Sequence, residues 1–259
     1  MSLSWEEKMN NLAHWVKESQ RIVVFTGAGV STESGVPDFR SPGGIWDRFD
    51  PQEMTFQKFL SNKESRRKYW DLFHVCWKEF DGVQPNRAHQ VMATLEEYGK
   101  VTAVVTQNVD GLHQMAGNSP DKVFELHGTM WKVRCLSCDN NFSWKEIFKQ
   151  LEEGKEIEEC ERCGGLLKPA TIAFGQSLPE EAFDQAYKHI LKCDLFLCIG
   201  SSLVVYPAAR LPQIAKSKGA RMVIINREPT PLDSIADLVI IGKAGEVMNE
   251  ILRMVKKSW

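Results

Sequence analysis

No run in this chain is apolar over the roughly 20 positions that a membrane-spanning helix needs, and the first 20 residues hold no apolar leader segment. Charge of one sign is also missing. With 32 Lys+Arg against 34 Asp+Glu the net charge is −2, so no basic field draws nucleic acid. There is no internal repeat and no low-complexity tract. A content of 43% hydrophobic and 25% charged residues excludes a disordered chain. The expectation is a cytoplasmic, monomeric globular protein with no direct nucleic-acid or membrane partner. An even cysteine count is lacking too. Of seven cysteines, four form two Cys-x-x-Cys pairs, and without a leader segment metal binding is a better reading than disulfides.

What is present alternates. Near-continuous apolar runs at 21–25, 101–105, 195–199, 222–225 and 238–241 read as parallel strands buried on both faces. Between them lie helical stripes: Ala88, Val91, Met92 and Leu95; Phe183, Ala186, Tyr187 and Ile190; Val247, Met248, Ile251, Leu252 and Val255. Trp5, Met9, Leu12, Ala13 and Val16 predict an amphipathic surface helix at the start. The fold class is therefore α/β, a Rossmann-like doubly wound parallel sheet with right-handed crossovers. Two stretches break the rhythm: 31–82, a polar Gly/Pro loop followed by an aromatic helical segment, and 128–169, which holds the paired cysteines. They read as two insertions that form a smaller zinc-ribbon plus helical domain, with a ligand cleft between it and the sheet.

The first strand runs into Thr26-Gly27-Ala28-Gly29-Val30-Ser31-Thr32. Glycines there let backbone approach a pyrophosphate, and a following helix N-terminus supplies N–H donors. A ligand-free tight turn uses the same residues. The hydride-transfer fingerprint Gly-x-Gly-x-x-Gly fails, because Thr32 stands at its third glycine, and no second strand ends in an acidic residue about 20 positions on. Any dinucleotide bound here serves another chemistry.

Cys135-x2-Cys138 and Cys160-x2-Cys163 suit two knuckles that place four thiolates about 2.3 Å from one Zn ion. Four cysteine ligands leave no open coordination position, so that zinc is structural. Cys76, Cys193 and Cys198 lack such spacing and read as ordinary buried residues. The run Glu152–Glu159 reads as a solvated loop.

Residues 27–40, 106–113 (Thr-Gln-Asn-Val-Asp-Gly-Leu-His), 126–128 (Leu-His-Gly) and 200–207 (Gly-Ser-Ser-Leu-Val-Val-Tyr-Pro) resemble, in order, the signatures of the sirtuin family. The resemblance implies an NAD-dependent protein-lysine deacetylase acting on acetylated protein or peptide substrates. His127, which on its own reads more often as a structural histidine, takes the general-base position, with Asn108 and Asp110 holding the nicotinamide end. Gln107, beside Val109, is implied at the nicotinamide ribose. Gly27, Ala28, Gly29, Ser31, Thr32, Phe39 and Arg40 are implied at the cofactor, with Phe39 over the reacting carbon; the sequence leaves core packing open for Phe39. Gly200, Ser201 and Ser202 suit phosphate or ribose, Asn226 the adenine ribose and Ala244 the adenine. His113 has no implied role.

The family implies a substrate peptide lying between 172–176 and 203–206, touching Ile172, Phe174, Gly175, Val204 and Tyr206. Gln176 and Ala173 depart from the common Glu and aromatic residue there. The Tyr-x-x-Arg pair of succinyl-preferring relatives is missing, since Leu72 follows Tyr69 at that spacing. An apolar acyl pocket is expected. By this reading 1–30, 83–127 and 170–259 form the NAD-binding domain, 31–82 the cofactor loop and helical insertion, and 128–169 the zinc-binding module. A mono-ADP-ribosyltransferase and a non-catalytic NAD or ADP-ribose binding module are the alternatives.

Overall fold

The protein is described by a computed structural model covering residues 3–157 and 159–256. The ends of the expected domain limits, 1–2 and 257–259, and Glu158 in the expected solvated run lie outside the described residues. The chain opens with α1 (Trp5–Glu18) and β1 (Ile22–Thr26), then two single 3-10 turns, Ala28–Val30 and Thr32–Ser34. Short helices α2 (Ile45–Arg48) and α3 (Phe56–Ser61) lead to α4 (Lys63–Phe80) and α5 (Arg87–Glu97). Next come β2 (Val101–Thr106), the one-turn α6 (Leu112–Met115) and β3 (Val123–Glu125). The cysteine-bearing stretch holds β4 (Gly128–Cys135), β5 (Asn141–Ser143), α7 (Trp144–Glu152) and β6 (Leu167–Thr171). The chain closes with α8 (Glu180–Ile190), β7 (Leu195–Ile199), α9 (Arg210–Ser217), β8 (Arg221–Asn226), β9 (Leu238–Ile241) and α10 (Ala244–Lys256).

Six strands form one parallel sheet in the order β3-β2-β1-β7-β8-β9. This is the doubly wound order, and its reversal point lies between β1 and β7, where such sheets bind ligands beyond the carboxyl ends of their strands. The apolar runs are continuous because both faces are covered. Ile22 and Val24 pack into the cluster that includes α1, α5 and α10, while Val23 and Phe25 pack into the one that includes α8 and α9. The same alternation splits Leu195, Leu197 and Ile199 from Phe196 and Cys198. Each fully buried side chain of this size contributes roughly 1.5–3 kcal/mol.

A second, antiparallel sheet, β5-β4-β6, ends β4 on Cys135, and the loops that join its strands hold Cys138, Cys160 and Cys163. Its residues and those of α7 share a third hydrophobic cluster with the helical stretch: Phe59, Tyr69, Trp70, Phe73 and Trp77 meet Met130 and Val133 of β4 and Trp144 and Ile147 of α7. Trp70 and Trp144 stack with centroids 5.9 Å apart. The two stretches that break the strand–helix rhythm thus bury their apolar faces on each other.

Three expectations are corrected here. Trp5 begins α1 but stays 51% exposed, because the helix turns only Met9, Leu12, Ala13 and Val16 to the core. The glycine loop leads into two 3-10 turns and not a regular helix, so donors there come from turns. In the Glu/Lys-rich run Ile157 is buried against the third cluster, while Glu152, Glu153, Lys155, Glu156 and Glu159 are exposed.

The glycines have a steric reason of their own. A Cβ on Gly27 would lie 2.9 Å from the Gly200 carbonyl, and one on Gly29 2.8 Å from the same atom. Gly200 has a positive φ of 62°, and a Cβ there would sit 2.2 Å from the Val30 amide nitrogen. The three residues interlock where β1 and β7 end. Gly154 also has positive φ (78°) but faces open space. Substituting Gly154 by Ala costs about 1 kcal/mol from the left-handed backbone alone, whereas Gly200→Ala, which adds a backbone clash, is expected to cost more than about 2 kcal/mol. Urea unfolding midpoints of the two variants check this ordering.

Candidate active site and metal centre

A cavity of about 530 Å³ opens at the reversal point of the sheet. Its wall takes Gly27, Ala28, Gly29, Thr32, Phe39 and Arg40 from the chain after β1, Gln107, Asn108 and Val109 from the end of β2, and His127. Gly200, Ser201 and Ser202 follow β7, Asn226 ends β8 and Ala244 begins α10. Ile172, Phe174, Gly175 and Tyr206 complete the expected set. Strand ends bring together residues more than 200 positions apart.

Three expected residues are not in this wall. Ser31 and Asp110 are buried behind it. Ser31 Oγ donates to Asp110 Oδ2 at 2.7 Å and accepts from Asn108 Nδ2 at 3.1 Å. Asp110 Oδ1 accepts from the Leu112 amide at 3.0 Å. They fix the Asn108 side chain and do not face the cavity. Burial raises the Asp110 carboxyl above its ordinary value, although these donors pull it the other way. Val204 is 44% exposed beside the cavity.

His113 and His89 sit in the same buried layer with ring centroids 4.9 Å apart. His113 Nε2 lies 2.9 Å from Thr26 Oγ1, which bonds to Thr106 Oγ1. Burial pushes His113 well below 6.5, and His89 down to about 4, so both are neutral near pH 7.

His127 is set differently. Its Nδ1 is 3.1 Å from the Gln107 carbonyl. A carbonyl only accepts, so Nδ1 carries the proton and Nε2 keeps its lone pair. Burial lowers this ring's pKa below 6.5, against a smaller opposing effect of the Gln107 carbonyl. The backbone carbonyl of His127 accepts from the Ile172 amide at 2.8 Å. Gln107 Nε2 in turn donates to Ser201 Oγ at 2.8 Å, tying the ends of β2 and β7.

Aromatic and charged wall residues had no periodic signal. Trp46 meets Phe39 at 5.1 Å and Phe174 at 5.8 Å in tilted ring contacts, so Phe39 packs on the cavity rim, 37% exposed, and not in a core. Asp38 holds that loop: its carboxylate accepts from the Arg40 and Ser41 amides and the Ser41 hydroxyl. Burial acts to raise the Asp38 carboxyl, but these bonds and Arg227 outweigh it and leave it below the ordinary value. Thr171, Arg227 and Glu228 also line the cavity. The hint available was position, since Arg227 and Glu228 follow Asn226 and Trp46 follows the Pro42–Gly44 turn.

The four paired cysteines converge. Cys135 Sγ is 3.5 Å from Cys163 Sγ, Cys138 Sγ is 3.9 Å from Cys160 Sγ, and all four sulfurs lie within 4.8 Å of one another. These separations are too long for disulfides. They fit the edges of a tetrahedron around zinc, about 3.8 Å for bonds of 2.3 Å. Gly165 closes the cradle, since a Cβ there would lie 2.4 Å from Ser137 Oγ and 3.0 Å from Cys135 Sγ. Cys76 and Cys198 are buried and Cys193 is partly so, and burial pushes the thiols of Cys76 and Cys193 up to about 12.

Comparison with known proteins agrees with this geometry. The Sir2 family profile matches residues 27–207. The chain is 41% identical over 258 residues to the NAD-dependent protein deacetylase of Thermodesulfovibrio yellowstonii, covering 100% of this chain and 99% of that protein. It is 44% identical over 253 residues to NAD-dependent protein deacylase 2 of Archaeoglobus fulgidus, covering 97% and 98%. The solved structure of Sir2Af2 bound to a myristoylated histone peptide superposes with a TM-score of 0.80 at 40% identity, covering 97% and 98%.

Among the described residues no helix is long and apolar enough to cross a membrane. Purified protein is expected to carry one zinc per chain by elemental analysis. Cys135→Ser should lose it, destabilise the chain by several kcal/mol and unstack the Trp70–Trp144 pair, read by near-ultraviolet circular dichroism.

Proposed function

The chain belongs to the Sir2 family, and on that premise we propose that it removes acetyl and longer neutral acyl groups from protein lysines at the expense of NAD, yielding nicotinamide, O-acyl-ADP-ribose and free lysine. The observation that carries this reading is His127 in the cavity wall, with Nδ1–H committed to the Gln107 carbonyl and a neutral Nε2 available as base. A pure binding module has no use for a base held in that tautomer.

NAD supplies a ribose carbon whose nicotinamide leaves as a neutral amide. The cavity fits such a ligand: backbone approaches closely at Gly27–Gly29 and Gly200, hydroxyls stand at Ser201 and Ser202, and Asn226 and Ala244 mark the far end. In this reading Asn108, steadied by Ser31 and Asp110, holds the nicotinamide end. Gln107 meets the nearby ribose. Phe39 keeps water from the reacting carbon while the acyl oxygen of lysine attacks. Once nicotinamide has left and the acyl oxygen is bonded to the ribose carbon, His127 takes a proton from a ribose hydroxyl, whose oxygen attacks the imidate carbon. A water then adds there and the lysine amine leaves, with the acyl group kept on the ribose. Arg40 steadies the phosphates and the loop.

The peptide lies between 172–176 and 203–206, where Phe174, Val204 and Tyr206 are all exposed, by backbone pairing that tolerates varied sequence. The acyl end meets Met54, Tyr69, Leu72, Phe73 and Ala173. The arginines of the wall, Arg40 and Arg227, come from the loop after β1 and the end of β8, not from α4, so a succinyl carboxylate finds no partner on that helix. The same reading takes 31–82 and 128–169 as insertions into one NAD-binding domain, and the protein as a cytoplasmic monomer.

Incubation with NAD and an acetyl-lysine peptide is expected to release nicotinamide and deacetylated peptide in equal amounts, with His127→Ala slower by about 10²–10⁴-fold. Label from NAD retained on protein would indicate ADP-ribosyl transfer instead. No cleavage by folded, zinc-loaded protein would leave only ligand binding. Because burial lowers His127, the base form persists to lower pH, and the acid limb of kcat/KM is expected below 6.5. Acetyl-peptide should exceed succinyl-peptide in kcat/KM by about tenfold or more; the reverse order would refute the apolar pocket.

A further inference from the structure

Lys168, in β6, is 1% exposed and ranks among the largest fully buried side chains of the protein. Among the described residues no carboxylate pairs with it. Its Nζ donates to the carbonyls of Pro169 (3.2 Å) and Thr171, and lies 5.0 Å from the Tyr69 ring centroid and 6.0 Å from that of Phe59. Burial alone pushes its ammonium down to about 7. A methionine would fill the same space without a buried cation to solvate, so what the ammonium holds is informative.

It holds two carbonyls of β6, and the second of them leads to the cavity. The Thr171 carbonyl accepts from Lys168, and the amide on the other side of that planar unit, Ile172 N–H, donates to the His127 carbonyl at 2.8 Å. The sheet meets this peptide only at the end of the β4–β6 ladder, where Gly128 faces Thr171 and the Ile172 amide bonds to His127. The β4–β6 ladder is irregular between Gly128 and Val133: Gly128 faces Thr171, and five positions later Val133 faces Pro169, only two positions back along β6. At the gap the chains nearly collide, since a Cβ on Gly128 would lie 2.0 Å from the Ala170 carbonyl. Tyr69, whose ring covers the ammonium, bonds through its hydroxyl to Thr171 Oγ1 at 3.2 Å. Tyr69, Thr171, Ile172 and His127 all line the cavity.

Resting on the deacylase reading, we propose that Lys168 is a positioning residue that fixes the distance between the base His127 and the acyl-pocket wall through the Thr171–Ile172 peptide. It touches no reactant. Its ammonium anchors the carbonyl side of the peptide whose amide side bonds to His127.

Lys168→Met keeps the volume and removes the donors, and Lys168→Arg restores them. In the methionine variant the Ile172 amide is expected to exchange about tenfold faster or more, while Val24 and Val104 in the main sheet keep their rates. With acetyl-peptide, kcat should fall about tenfold while KM for NAD changes less than about twofold. The arginine variant should recover most of the kcat. Should methionine not fold, Lys168→Leu, which also lacks a donor, gives the same exchange comparison. Unchanged Ile172 exchange in a folded, zinc-loaded variant overturns the proposal, as does a kcat that stays at the wild-type level. An inactive wild-type enzyme would instead sink the deacylase reading, and the exchange rates would still decide the role of Lys168.

Discussion

Backbone contact between the turn after β1 and the residue after β7 is the constraint on which the remaining geometry depends. Gly27, Gly29 and Gly200 lie so close that none has room for a Cβ, and the Gly29 amide donates to the Gly200 carbonyl at 2.8 Å. That contact sets the floor of the cavity at the point where the sheet reverses direction. It also fixes the end of β2, because the Gln107 amide donates to Thr26 O and the Gln107 side chain reaches Ser201. Once those three strand ends are locked, His127 inherits its orientation from the Gln107 carbonyl.

The small sheet is tied to this floor by β4. The strand begins at Gly128, next to His127, and ends at Cys135, a member of the sulfur cluster. Along the way the Met130 amide donates to Val109 O, and Trp131 Nε1 donates to Asp110 O at 2.9 Å. The four-cysteine cluster is therefore linked through β4 to the loop that carries Asn108 and Asp110. The polar layer behind that loop is buried, with neutral histidines beside the bonded Ser31–Asp110 pair.

Much of this is legible in the sequence because local chemistry announces it. The β-branched runs mark the main strands to within a residue or two. The spacing of Cys135, Cys138, Cys160 and Cys163 announces a metal cradle. Other features depend on contacts between distant residues. Ser31 and Asp110 stand 79 positions apart, and only the fold shows them bonded to each other behind the wall. The glycines read as room for a ligand, whereas their first requirement is room for one another. Trp46 lies in a Gly/Pro-rich loop without periodicity, and becomes a wall residue through Phe39 and Phe174. Lys168 carries no mark of burial in its neighbours, since a single lysine before proline is as common on a surface.

The shared third cluster has a consequence for how the chain is made. The aromatic face of α4, with Trp70, Phe73 and Trp77, is packed by Trp144 and Phe148, residues synthesised well after it. β1 likewise lies at the centre of a sheet whose flanking β7 comes late, with Gln20 bonded to Asp194 across 174 positions. During translation, at about 5–20 residues per second, the early part of the chain emerges with its largest apolar surfaces unmatched. Those surfaces stay unpaired until Trp144, Phe148 and β7 have been made.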